Sequence, residues 1–270
     1  MPAPRAITSL QNDRIKAIRA LEMRKVRRET GLFVAEGVSV IETARQSGIH
    51  PETIVHLAGG LDSPVARRVV EAAQGHGAEI IEASSAVLAK IASKDNPQSV
   101  IGVFRQRWAP LPDPASVERT ATWLALEAVR DPGNLGTIIR TADAVGASGV
   151  ILIGNCCDPY ARECVRATMG SIFAVPVAQA TPEAFKAMLA AWPGESVGTA
   201  LTARVDIRKA TWREPVLLVM GSEGPGLSPG LADALTRLVR IPMAGRLDSL
   251  NLAVAAAISL YQIRAAHLSL

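Results

Sequence analysis

A chain of 270 residues, 49% apolar and 20% charged with only 4% aromatics and a formal net charge of +4, has material for one or two packed cores and is no disordered polyelectrolyte. No apolar run approaches the roughly 18 residues of a membrane span, and MPAPRAITSLQNDR lacks the apolar centre of a secretory signal. Cys156, Cys157 and Cys164 form neither a CxxC pair nor a Cys/His ligand set, so no disulfide framework or metal site is expected, and a reducing cytoplasm fits best.

The first segment, ITSLQNDRIKAIRALEMRKVRRET, reads as helical from the spacing of Ile15, Ile18 and Leu21. From Arg14 to Arg28 it carries seven Lys/Arg against one acid, Glu22. Such a cluster suits a phosphate backbone or, equally, an ordinary solvated helix face; Arg24, Lys25, Arg27 and Arg28 are the candidates for the first. GLFVAEG, TIVHLAG, AEIIEAS and SVIGVF are short strands separated by helical stretches, which makes 1–107 a small α/β domain. WAPLPDPASVERT, with three prolines, reads as an extended linker over 108–120.

Over 121–270 strands and helices alternate: WLALEAV and TIIRTADAVG, GVILIG and PYARECVRAT, FAVPVA and PEAFKAMLAAW, SVGTALT, VLLVMG and SPGLADALTRL, LVRIPM and SLNLAVAAAISLYQI. The alternation predicts a mostly parallel sheet covered on both faces.

Three stretches of this half place polar residues where an apolar strand ends, the edge at which α/β sheets gather ligands. In DPGNLGTIIRTADAVGA a turn leads to Asn134, and six residues on Arg140 lies among Ile138, Ile139 and Ala142. A guanidinium in such company needs a partner: Asp143 or Glu127 in a plain salt bridge, or a ligand. In VLLVMGSEGPGLSP the glycines Gly221, Gly224 and Gly226 permit a tight turn and close approach, with Glu223 as the lone charge. It is neither GxGxxG nor a Walker loop. In RIPMAGRLDSLNLAVAAAI, Ser249 is placed to cap an Ala-rich helix and Asn251 falls in its first turn.

HExxH, GxSxG, paired carboxylates and Cys/His pairs are absent, and His50, His56, His76 and His267 stand apart from the three stretches. A few polar groups with much loop backbone suit a reaction whose reactive group is brought by a cofactor.

Taken together, DPGNLGTIIRTADAVGA, GSEGPGLSP and IPMAGRLDSLNLAVAAA closely resemble the three motifs of the SpoU (TrmH-type) branch of the SPOUT RNA methyltransferases, over 123–262. ITSLQNDRIKAIRAL, GLFVAEG and DNPQSVIGVF more weakly resemble the family's L30e-like substrate-binding domain. The resemblance implies an α/β SPOUT domain over 121–270 with a parallel sheet and deep trefoil knot, an L30e-like domain over 1–107, a homodimer, and S-adenosylmethionine as cofactor without a metal. By position, Thr199, Leu201, Gly221, Ile241, Met243 and Leu250 are the implied cofactor residues, and Asn134, Arg140, Glu223, Ser249 and Asn251 the implied catalytic set. The implied activity is methyl transfer to a ribose 2′-hydroxyl of structured RNA, rRNA being favoured over tRNA. An RNA-binding or ribosome-assembly factor that has lost the chemistry is the alternative. Val145, where the family commonly has an aromatic, and the sequence MGSIF from Met169 depart from the pattern without touching these polar residues.

Overall fold

The computed structural model describes residues 5–92, 99–246 and 249–269. Residues 95–98 of the N-terminal resemblance and residues 247 and 248 of the third stretch lie outside the described residues. Two compact units are present: Met1–Arg107 with Asp158–Ala174, and Trp108–Cys157 with Val175–Leu270. Asp158–Ala174, expected inside the second domain, therefore groups with the first.

The first unit runs β1 (Arg5–Ile7), α1 (Asp13–Ala20), α2 (Arg24–Thr30), β2 (Leu32–Glu36), α3 (Val38–Gln46), β3 (Thr53–Leu57), α4 (Pro64–Gly75), β4 (Glu79–Ala83), α5 (Ser85–Ile91) and β5 (Val100–Arg105). Its sheet has the order β1-β4-β3-β5-β2, with β5 antiparallel to both neighbours. Ile15, Ile18 and Leu21 pack with Val55, Ile81 and Leu88 in its core, which is why their spacing is legible as a helix face.

That helix is not continuous. Asn12 caps α1 by accepting from the Arg14 amide at 2.9 Å, the helix ends at Ala20, and Met23 is extended before α2 begins. The cause is Arg27, only 4% exposed. Its Nη1 donates to the Leu21 and Glu22 carbonyls at 2.8 and 2.7 Å, and its Nε and Nη2 reach Asp158 Oδ2 at 2.8 and 2.7 Å. A buried cation thus satisfies the carbonyls freed by the break and is itself neutralised. Arg27 is consequently withdrawn as a candidate RNA contact, whereas Arg24, Lys25 and Arg28 are exposed.

The second unit runs β6 (Thr122–Glu127), α6 (Pro132–Ala144) and β7 (Gly149–Ile153); after α7 (Arg162–Ala167), which belongs to the first unit, it resumes with β8 (Val177–Ala180), α8 (Pro182–Ala190), β9 (Glu195–Thr199), β10 (Val205–Asp206), β11 (Val216–Met220), α9 (Pro229–Ala232), β12 (Arg237–Arg240) and α10 (Leu252–Arg264). Seven strands in the order β10-β12-β9-β11-β6-β7-β8 pair in parallel throughout. GVILI and VLLVM are buried at every position, so both sheet faces are covered. Phe185, Met188 and Leu189 of α8 pack on Ala125, Ile151, Leu217 and Val219.

Three local expectations change. FAVPVA starts on the last residue of a 3-10 turn, Ser171–Phe173, and becomes strand only at Val177, because Pro176 has no amide to give the ladder. SPGLADALTRL is helical only over Pro229–Ala232: the Thr236 amide donates to Ser196 Oγ at 3.0 Å and draws the chain into β12. The proline-rich stretch is docked rather than free, since the Ala109 amide donates to the Val177 carbonyl at 2.8 Å and Ala109, Leu111 and Val117 pack on the α8 core.

Candidate active site

Because β12, β9, β11 and β6 are adjacent and parallel, the loops that follow Arg240, Thr199, Met220 and Glu127 leave the same edge of the sheet. Asp131 caps α6, accepting from the Asn134 amide at 2.6 Å, and Pro132 sets the first turn. That fixes the Asn134 backbone. Its side chain is fixed as well: Nδ2 donates to Glu223 Oε1 at 2.9 Å, and Oδ1 accepts from Asn251 Nδ2 at 2.9 Å. One carboxamide therefore ties the three stretches together.

Asn251, not Ser249, caps α10. Its Oδ1 accepts from the Ala253 and Val254 amides at 2.9 and 3.3 Å, and the helix starts at Leu252, which leaves Ser249 too far upstream to reach those amides. Asn251 thus has its oxygen on the helix and its nitrogen on Asn134.

Arg140 is exposed on α6, and among the described residues it makes no hydrogen bond or ion pair. Neither Asp143 nor Glu127 pairs with it. Glu127 is engaged elsewhere, accepting from the Ser228 amide at 2.8 Å and from Ser228 Oγ at 2.6 Å. Nor does Glu223 anchor Arg140, because its carboxylate accepts from Asn134 instead.

The glycine loop closes on itself. A Cβ on Gly221 would stand 1.9 Å from the Gly226 carbonyl carbon, and the Gly226 amide donates to the Ser222 carbonyl at 3.1 Å. Gly224 and Gly226 have φ of 103° and 73°, where a side chain is strained. The loop therefore presents backbone at close range.

Leu201 and Met243 line a cleft of about 570 Å³ together with Arg204, Asp206, Arg240 and Pro242, among others. Thr199, Ile241, Gly221 and Leu250 are not part of its lining. The volume lies in the range of small-molecule sites. On its wall Asp206 is paired with Arg208, whose guanidinium holds the carboxyl down at about 2.

Cys157, read from the sequence only as a thiol without a disulfide or ligand partner, is half-buried. Burial, then the neighbouring Cys156, then the negative charge of Asp131, push its thiol from 9.0 up to about 12. That direction favours the neutral thiol, the form that is the weaker nucleophile. Sequence reading missed the Glu127 to Ser228 contact; its signal was a carboxylate at a strand end and a serine directly before Pro229. The described residues contain no group of three or more His, Cys, Asp or Glu that could hold a metal, and none of their helices is long and apolar enough to cross a membrane.

Residues 121–261 match the SpoU rRNA Methylase family, and residues 12–102 match the MRM3-like substrate binding domain. The chain is similar to the rRNA methyltransferase of Sinorhizobium meliloti solved with AdoMet bound, at 43% identity and a TM-score of 0.89 over 98% of this chain and 99% of that one. It is similar to the 23S rRNA (guanosine(2553)-2′-O)-methyltransferase RlmP of Bacillus subtilis at 30% identity, covering 96% of this chain and 98% of the relative. A 23S rRNA (uridine(2479)-2′-O)-methyltransferase from Streptomyces viridochromogenes is 32% identical over 97% of this chain and 92% of its own length.

Proposed function

Since the chain belongs to the SpoU rRNA methylase family, we propose that it transfers a methyl group from S-adenosylmethionine to a ribose 2′-hydroxyl of ribosomal RNA. The observation that carries this reading is the Asn134 carboxamide, which joins Glu223 and Asn251 at one strand edge while Arg140 stays exposed and unpaired nearby in sequence. The relatives named for 23S rRNA 2′-O-methylation support the substrate class, and since one is named for a guanosine and the other for a uridine, the ribose is the shared target.

Bound S-adenosylmethionine supplies an activated methyl on a sulfonium, so no metal is required. What the chain must do is hold that group and align the 2′-oxygen behind the methyl carbon. Leu201 and Met243 offer apolar wall in the cleft and the glycine loop offers backbone; Thr199, Gly221, Ile241 and Leu250 complete the set we assign to the cofactor. Arg140 is a permanent cation, too weak an acid to serve as base. We assign it to the RNA phosphate and to stabilising negative charge on the oxygen as the hydroxyl loses its proton. Asn134, Glu223, Ser249 and Asn251 shape the pocket around it. An engaged network of this kind disfavours the reading of an inert assembly factor.

Arg24, Lys25 and Arg28, exposed on α2, are proposed to contact RNA; the 3.9 Å pair of Lys25 with Glu29 is exposed and weak. A homodimer is supported by α10, whose Val254, Ile258 and Tyr261 share one face and are 48%, 40% and 62% exposed. The trefoil knot and a cytoplasmic location, compatible with three free thiols, belong to the same proposal.

The decisive experiment is Arg140→Ala. We expect calorimetry to show retained S-adenosylmethionine binding and methylation of ribosomal RNA to fall by about 10²-fold or more, as when an electrostatic stabiliser is removed. Near-normal turnover would take Arg140 out of the mechanism, and an unsubstituted protein that does not bind S-adenosylmethionine would overturn the function itself.

A further inference from the structure

The far end of the glycine loop is held in an unusual way. Ser228 stands at the N-cap position of the short α9, directly before Pro229, where a serine ordinarily turns its oxygen onto the helix's own amides. It makes no such bond. Its hydroxyl goes instead to Glu127 Oε1 at 2.6 Å and its amide to Glu127 Oε2 at 2.8 Å. Both carboxylate oxygens are thus spent on one residue, through charge-assisted bonds stronger than neutral ones.

Glu127 is the last residue of β6, in register with Ile153 of β7, one residue past the end of the β11 ladder at Leu126. The next residue, Ala128, has φ of 53°, and its amide donates to the Ile153 carbonyl at 3.2 Å. A left-handed alanine persists only where its surroundings impose it, so the end of β6 is a rigid mount. Along the loop, Gly221 lies against Gly226, the Gly226 amide donates to the Ser222 carbonyl, Asn134 holds Glu223, and Leu227 packs on the core directly before Ser228; the Glu127 contact closes its far end.

We propose that Glu127 is a positioning residue: by latching Ser228 it presets the glycine-loop backbone that receives the cofactor. The inference rests on the reading of this site as an S-adenosylmethionine site. Because the latch acts before the cofactor arrives, its loss raises the cofactor dissociation constant and KM more than it lowers kcat.

The test is made on the full chain. Glu127→Ala should weaken S-adenosylmethionine binding in calorimetry by about tenfold, an indirect effect of removing both solvent-accessible bonds to Ser228, with KM for the cofactor rising by more than kcat falls. Glu127→Gln retains an oxygen for the Ser228 amide and should restore most of the affinity, while Glu127→Asp, one methylene short, should not. Since both residues serve one latch, E127A/S228A should bind no more weakly than E127A. Unchanged cofactor affinity in E127A, or fully additive losses in the double variant, would overturn the proposal. Hydrogen exchange over residues 222–228 without cofactor gives a separate readout: it should speed up in E127A, and equal exchange would overturn the latch even if the unsubstituted protein failed to bind S-adenosylmethionine, a result that would sink the function reading instead.

Discussion

Asn134 donates to a carboxylate and accepts from a second amide, so no other side chain of its size can replace it. Asn134→Asp would place a carboxylate oxygen against Glu223 where a donor now stands, and Asn134→Ala would leave both partners without it. We expect the aspartate variant to be the worse of the two, methylation falling by about 10²-fold or more from like-charge repulsion added to loss of the bond to Glu223, whereas the alanine variant loses two bonds of about 1 kcal/mol each without the repulsion. Comparing single-turnover rates of the two variants checks this; equal losses would mean that Asn134 acts by shape alone. At this scale the polar identities of the site are legible in the sequence, because Asn134, Glu223 and Asn251 stand at strand ends. Their pairing is not. Ser249 looks like the better cap along the chain, and only the position of Asn251 against the free α10 amides reverses that order.

On the scale of elements, the basic segment before β2 shows how one arginine can differ from its neighbours. Arg24, Lys25 and Arg28 face solvent, whereas Arg27 is buried on Asp158 and on two carbonyls between α1 and α2. Arg27→Ala should therefore cost roughly 3 kcal/mol in urea unfolding, since it leaves the half-buried Asp158 without its cation and the Leu21 and Glu22 carbonyls without their donor. Neutralising Arg24, Lys25 and Arg28 together should leave stability within about 0.5 kcal/mol per site and flatten the salt dependence of RNA binding, by a slope of roughly 0.9 for each phosphate no longer neutralised. An unchanged slope would return these three to a plain solvated face. Charge density along the chain could not separate the two roles, because the partner of Arg27 lies 131 positions away in sequence.

For the whole molecule, α10 carries apolar residues on every side. One side is explained by the unit's own core, where Ala256 and Leu260 are fully buried. The other, Val254, Ile258 and Tyr261, is exposed, and is the face we propose a second copy covers. Ile258→Glu with Tyr261→Glu should give a species sedimenting at 28.5 kDa instead of twice that mass. An unsubstituted protein that already sediments as a monomer would remove the homodimer from the proposal.

By itself the sequence determined the alternation of strands and helices, the buried parallel sheet and the three polar strand ends, since these depend on local periodicity and on which residues can leave water. Only the tertiary structure decided that Asp158–Ala174 groups with the first unit, that Arg27 is interior, that Asn251 rather than Ser249 caps its helix, and that Glu127 holds the glycine loop through Ser228, 101 positions along the chain. The Arg27 and Glu127 contacts join partners distant in sequence that only packing brings together, and the Asn251 cap depends on where the α10 backbone starts; none of these leaves a period in the chain to read.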